Sequence, residues 1–369
     1  MQKKLHFPNL DGFRTIAFLI VYFGHCYILF DFGSIPFVIK YIGKIFSSPG
    51  IGVHFFFVLS GFLISYLLLT ELNNYSKINI TAFYMRRVLR IWPVYFLVII
   101  ISLLLSFINK PFYSLHDANF WQIGLFLTNF NLANSNILWQ VGISSLPITV
   151  LWSVAVEEQF YLILPLLIYF FSKKVFYFFP IFIIISLIFG IVNANNIIYA
   201  EFSTLGVCGS LFVGCIIAYL TLNHNFASIF NNLKASTIKI VYIFFLVLHI
   251  YREKVFGTSN GNALLYFIYA LFFAFFIMEQ NFSKNSFYKM SNFKWLTQTG
   301  KYTYGLYAYH MIFISLAMIF VPNYINPVGN YFTYFFLWAI VLFFTYIFAK
   351  FSYNNMEKPF LKLKEKFNR

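Results

Sequence analysis

The chain has 369 residues, of which 60% are hydrophobic and only 10% charged, with 53 Phe and 27 Tyr. A soluble domain carries about 25% charged residues. The composition therefore excludes a disordered chain, a nucleic-acid-binding domain and an ordinary water-soluble enzyme, and leaves an all-α polytopic membrane protein. The net charge of +15 would point to an acidic partner in a soluble protein; here the first question is on which side of a bilayer the cations lie.

A spanning helix needs about 20 mostly apolar residues. Such stretches occur, in chain order, at 13–30, 51–70, 91–108, 152–171, 175–192, 203–222, 236–251, 261–279, 302–320 and 331–349. Lys3 and Lys4 precede the first, as in a signal peptide. That run, however, contains Arg14 and His25 and is followed by no small-residue cleavage site, so it is expected to stay as a helix. Residues 109–150 are too long for a tight connection. Their apolar piece Trp121–Phe130 is too short to span, which predicts a re-entrant or interfacial segment. No internal repeat is visible. The expected organisation is a single transmembrane domain over 1–350 with a basic cytoplasmic tail over 351–369.

Alternating these spans sorts the 26 cationic residues 21 to 5, the minority being Lys40, Lys44, Lys110, Arg252 and Lys254. By the positive-inside rule both termini are then cytoplasmic. Most of the net charge is topology signal and calls for no ligand. Cys26, Cys208 and Cys215 lie in apolar runs without metal-ligand spacing and read as small buried hydrophobes.

Ionisable groups inside a bilayer cost several kcal/mol and are functional candidates. His6, His116 and His224 fall in loops, and His249 falls at the end of the seventh span. His25 lies roughly 18 Å in from Phe13, and His310 roughly 12 Å in from Tyr302, both near the middle of a hydrocarbon core about 30 Å thick. Arg14 precedes His25 by eleven residues, close to three helical turns, so the two share one face. A cationic mouth leading to an imidazole suits a long anionic substrate whose reactive end must reach the membrane interior. Arg86, Arg87 and Arg90 open the third span at spacings that let guanidinium groups converge on phosphate oxygens. Glu157 and Glu158 stand at the expected outer end of the fourth span, where Lys40 and Lys44 are possible neighbours. Neighbours on a helix point about 100° apart, so one of them faces a given cavity, and Glu158 is the residue chosen. His54 opens the second span.

Five stretches, taken in order, resemble the acyltransferase 3 family of membrane acyltransferases, which includes O-antigen acetylases. They are Leu10-Asp11-Gly12-Phe13-Arg14 leading to Gly24-His25, Gly52-Val53-His54 through Gly61-Phe62, Phe83-Tyr84-Met85-Arg86-Arg87-Val88-Leu89-Arg90-Ile91-Trp92-Pro93, Leu151-Trp152-Ser153 through Tyr161, and Gly300-Lys301-Tyr302 through His310. Two departures stand out: His54 where relatives often carry Asp, and Ala155 where they often carry Ser. The resemblance implies about ten spans and a bacterial inner (plasma) membrane location. It also implies transfer of an acyl group, usually acetyl, from cytoplasmic acyl-CoA to a hydroxyl of a cell-surface polysaccharide or lipopolysaccharide, with membrane lipid around the protein and no metal. The family's Arg-x10-His element falls on Arg14 and His25, and its Arg-x-x-Arg element on Arg87 and Arg90. On this reading His25 is a general base or acyl carrier, Glu158 assists it, and Arg14, Arg87, Arg90 and His310 hold acetyl-CoA. A chain ending at Arg369 resembles the form without a fused extracytoplasmic domain. Two rivals compete: a transporter or flippase of a glycolipid or polysaccharide precursor, and a haem protein ligated by His25 and His310. Neither accounts for the arginines and the ordered motifs together.

Overall fold

The computed structural model describes residues 7–29, 48–108, 120–134, 147–257, 262–320 and 331–367. Lys3, Lys4, His6, Lys40, Lys44, Lys110, His116 and Arg369 lie outside them. Helix dominates, and no strand occurs among the described residues. The long helices are α1 (Pro8–Leu29), α2 (Gly50–Tyr75), α3 (Ile80–Ile108), α4 (Leu151–Phe171), α5 (Phe178–Val192), α6 (Thr204–Asn223), α7 (Ala235–Phe256), α8 (Asn262–Phe282), α9 (Thr303–Phe320) and α10 (Tyr331–Ser352). Seven described stretches are long and apolar enough to cross a membrane, one of them the 46-residue run Pro147–Val192. The molecule is a multi-pass membrane protein. Helix is the form that satisfies every backbone polar group within such an apolar segment.

The chain divides into two compact units. The first comprises Met1–Ile20, Gly50–Ile78 and Ile163–Lys301; the second comprises Val21–Pro49, Asn79–Leu162 and Tyr302–Arg369. The first unit is built on the contact of α2 with α6. Here glycines replace side chains at the crossing. A Cβ on Gly61 would collide with the backbone carbonyl of Leu211, and one on Gly214 with that of Val58, 2.6 Å from the amide nitrogen of Phe62. Small residues let helix backbones approach closely where lipid offers no hydrophobic drive. The start of α1 is fixed within this unit by polar bonds. Asn9 donates to Gln280 O at 2.8 Å and accepts from the Ser291 amide at 2.9 Å, and Thr15 Oγ1 donates to Leu296 O at 2.7 Å.

In the second unit, tyrosines bond to neighbouring backbone carbonyls. Tyr84 donates to Leu162 O at 2.8 Å, Tyr304 to Ile91 O at 2.8 Å, and Tyr22 to Trp338 O at 2.6 Å. The stretch expected to be re-entrant or interfacial forms two short helices, Phe120–Gly124 and Thr128–Asn134. They dock on α3 and α4: Tyr95 donates to Ile123 O at 2.6 Å, and Gln159 Nε2 donates to Phe126 O at 2.8 Å and Asn129 Oδ1 at 2.9 Å. α4 is entered through a fully buried 3-10 turn, Pro147–Val150. Proline suits this place, because its missing N–H is one that a helix start leaves unpaired. The segment expected as a tail is helical. A π turn at Tyr353–Glu357 leads into α11 (Lys358–Leu363), and Arg86 Nη1 on α3 donates to Phe367 O at 2.7 Å.

Candidate functional site

The second unit brings together the two intramembrane histidines, 285 residues apart in sequence. His25 Nδ1 lies 3.0 Å from His310 Nε2, with the rings stacked at 5.1 Å and 29°. His310 is fully buried, and its Nδ1 lies 2.6 Å from Tyr307 O, one turn back on α9. The Tyr307 hydroxyl lies 2.6 Å from Ser153 Oγ and donates to Val150 O at 3.4 Å. The first turn of α4 therefore meets the second turn of α9. Tyr22, three residues before His25 on α1, packs its ring edge against His310.

Glu158 follows one and a half turns along α4. It is half-buried, its Oε2 accepts from Trp92 Nε1 at 3.4 Å, and its Oε1 is buried without a hydrogen-bond partner. Because Trp92 lies about 18 Å along α3 from Ile80, Glu158 stands beside the middle of α3. Glu157 accepts from Tyr161 at 2.6 Å. The three arginines of α3 splay apart. Arg86 reaches the C-terminal segment, Arg90 is exposed, and Arg87 turns inward, its guanidinium 5.6 Å from the ring centres of both Phe83 and Tyr161. The buried Nε of Arg87 has no partner. Aromatic faces attract a guanidinium without using its N–H donors, so Arg87 holds position while keeping hydrogen-bonding capacity.

The sequence reading gave three residues here no role in the site. Tyr307 and Ser153 belong to quoted motifs, and the three-residue step from Tyr307 to His310 is the signal that could have linked them. Glu357 read as part of a basic tail. It is buried in the π turn, with Oε1 unpartnered, and within electrostatic reach of Arg90. A Cβ on Gly305 would lie 3.3 Å from that oxygen.

Other candidates fall in the first unit. Arg14 pairs with Asp11, one turn back on α1. His54 is buried, bonded through Nδ1 to Ser210 Oγ at 2.7 Å and stacked on Tyr266 at 4.1 Å. His249, placed by the sequence at the end of the seventh span, is buried, its Nδ1 lying 2.9 Å from the Tyr269 hydroxyl. The reason is that α7 runs on to Phe256, which carries His249 into the helix packing. The three cysteines are buried and free.

Between α5 and α6, Glu201 accepts on Oε1 from Asn262 Nδ2 at 3.0 Å and from Tyr266 at 3.4 Å. Burial pushes its carboxyl up to about 7, against the opposing pull of those two hydrogen bonds. A folded-state value above the ordinary 4.5 makes ionisation cost folding free energy. That contribution to stability is fully present below the unfolded value and is lost as pH rises through 7. The wild-type protein in detergent is therefore expected to melt at a lower temperature at pH 8 than at pH 5, with a smaller difference in Glu201→Gln. Equal pH dependence in the two would remove Glu201 as its source.

The model of the acyltransferase domain (Acyl_transf_3) matches residues 7–350. The chain is 27% identical over 390 residues to the O-acetyltransferase OatA of Staphylococcus aureus (strain NCTC 8325 / PS 47), covering 98% of this chain and 58% of that protein. A putative O-acetyltransferase of Staphylococcus aureus (strain COL), SACOL0978, is 26% identical with the same two coverages. An uncharacterized protein of Haemophilus influenzae is 34% identical over 152 residues, 40% of this chain and 60% of that one. The chain thus spans a little over half the length of the O-acetyltransferases it matches. No solved structure matches it.

Proposed function

Since the chain belongs to the acyltransferase family whose domain model covers residues 7–350, we propose that it transfers an acetyl group from acetyl-CoA to a hydroxyl of a cell-surface polysaccharide. The observation that carries this reading is the pair of imidazoles, His25 and His310, 3.0 Å apart within an apolar helical unit. An imidazole is the usual general base for hydroxyl chemistry near neutral pH. His25 removes the acceptor's hydroxyl proton as the oxygen attacks the thioester carbonyl. The new C–O bond forms, the C–S bond breaks, and the proton passes from His25 to the departing sulfur. The relatives named as O-acetyltransferases support acetyl as the group and a hydroxyl as its destination. The seven apolar spans support a plasma-membrane setting that a cytoplasmic donor and an outer acceptor could both reach.

Arg87 and Arg90 are assigned to the donor's phosphates. Arg87 has an unpartnered buried donor, and Arg90 is exposed on the next turn. Glu158 accepts hydrogen bonds from the acceptor or stabilises charge that develops on His25. Arg14, which pairs with Asp11 one turn back on α1, is assigned to the donor's phosphates as well. Arg87→Ala is expected to raise the KM for acetyl-CoA about tenfold to a hundredfold, the worth of one or two charge-assisted hydrogen bonds. Arg87→Lys should restore little, because an ammonium lacks the planar fork. An unchanged donor KM in both variants would contradict the assignment.

The reaction itself is tested by mass spectrometry of alkali-labile ester on the host's surface polysaccharide, in a deletion strain with and without the restored gene. Ester that depends on the gene supports the transfer. Ester indifferent to the gene rejects this acceptor class.

A further inference from the structure

The hydrogen bonds around the histidine pair fix where its protons lie. A backbone carbonyl can only accept. His310 Nδ1 faces the carbonyl of Tyr307 at 2.6 Å, so this nitrogen carries a hydrogen. In a neutral imidazole the other nitrogen is then a bare lone pair. His310 Nε2 must therefore accept across the 3.0 Å contact, and His25 Nδ1 must donate. The reverse direction would need a second proton on His310. That would leave a cation on a fully buried ring, where a charge costs several kcal/mol that a neutral imidazole does not. With its proton on Nδ1, His25 has its lone pair on Nε2.

We infer that His310 is a positioning residue that holds His25 in the Nδ1–H tautomer, so that Nε2 is the nitrogen that takes the acceptor's proton. This rests on the general-base reading of His25. It replaces the donor-binding role expected for His310 from the sequence. The i−3 carbonyl of Tyr307 is the anchor of the chain. The Ser153 hydroxyl on α4 holds the Tyr307 ring through its phenol, so one hydrogen-bonded line runs from α4 through α9 to α1. A tautomer set by a neutral acceptor also leaves the pair able to share the proton once His25 is charged. His25 Nδ1–H then donates to His310 Nε2 as a charge-assisted bond, which is stronger than a neutral one.

The test uses the full chain in lipid nanodiscs with nitrogen-15-labelled histidine. His25 is assigned among the seven histidines by its loss in His25→Ala. The expected wild-type spectrum shows a protonated Nδ1 and an unprotonated Nε2 on His25. Kinetically, His310→Leu is expected to lower kcat roughly 10²-fold, within the range for a misplaced general base, with the donor KM unchanged. His310→Gln, whose carboxamide oxygen can accept at about the place of Nε2, should recover most of that loss. A neutral His25 protonated on Nε2, a Gln variant no better than Leu, or a loss confined to the donor KM would each overturn the inference. If His310→Leu fails to fold, the wild-type tautomer alone decides. Full transfer by His25→Ala would sink the general-base reading while leaving the tautomer assignment standing, so the two failures are separable.

Discussion

Replacing His25 with Ala is expected to cut acyl transfer by about 10²–10⁴-fold, the usual contribution of a positioned general base, at unchanged protein abundance in the membrane. His25 is half-buried on α1, and its Nδ1 contacts His310. Truncation removes the His25–His310 contact. Losing one partner of a buried polar pair costs about 1–3 kcal/mol, less than the roughly 5–15 kcal/mol by which a folded protein is typically stable. The loss should therefore lie in rate. Donor KM should stay within about twofold, since a group acting only in the transition state leaves ground-state binding alone. Measuring ester formation against membrane abundance separates the two effects. Transfer retained above a tenth of wild type would remove His25 from the centre of the chemistry. Loss of the protein from the membrane would make it a structural residue.

The second large effect concerns folding. Gly214→Val on α6 should abolish accumulation of the protein. The added Cβ would collide with the carbonyl of Val58 and lie 2.6 Å from the amide nitrogen of Phe62. Both atoms belong to the α2 backbone, so no side chain can rotate away and the helices must separate. Overpacking of this kind typically costs about 1–3 kcal/mol and occasionally more; with rigid backbone on the far side, about 3 kcal/mol or more is expected here. Gly61→Val should behave alike, because Gly61 meets Leu211 across the same crossing. Gly124→Ala is the control, since a Cβ there meets nothing within 4 Å. Membrane abundance and the melting temperature in detergent check the set. A normal melting temperature for Gly214→Val would show that the α2–α6 crossing opens to admit a side chain.

Hydropathy made the helices legible. Among the described residues, each stretch expected as a span falls largely on helix, because an apolar run of such length has few other backbone solutions in lipid. α7 extends to Phe256 past the expected end at 251, since Arg252, Glu253 and Lys254 lower local hydropathy without breaking a helix. The arginine cluster was legible as a cluster, but the divergence of its side chains was not. Spacing places side chains on a face, while their directions follow from partners such as Phe367 and Tyr161, far away in sequence. The pairing of His25 with His310 was out of reach for the same reason: similar depth in two helices does not say whether those helices touch. The buried 3-10 entry to α4 was hidden too. Pro147–Val150 reads as the end of a loop, and its burial depends on α9.

That buried start of α4 has an electrical consequence. The 3-10 turn and the helix form one continuous run of aligned peptide dipoles, from Pro147 to Phe171. Their sum places roughly half a positive elementary charge at the beginning of the run. The first four residues are all buried, so water screens this pole weakly. The second unit therefore contains a fixed positive electrode made of backbone alone, beside Ser153 and Tyr307. Negative charge that appears on an oxygen or sulfur near this pole is favoured without any side-chain cation having to be stripped of its hydration.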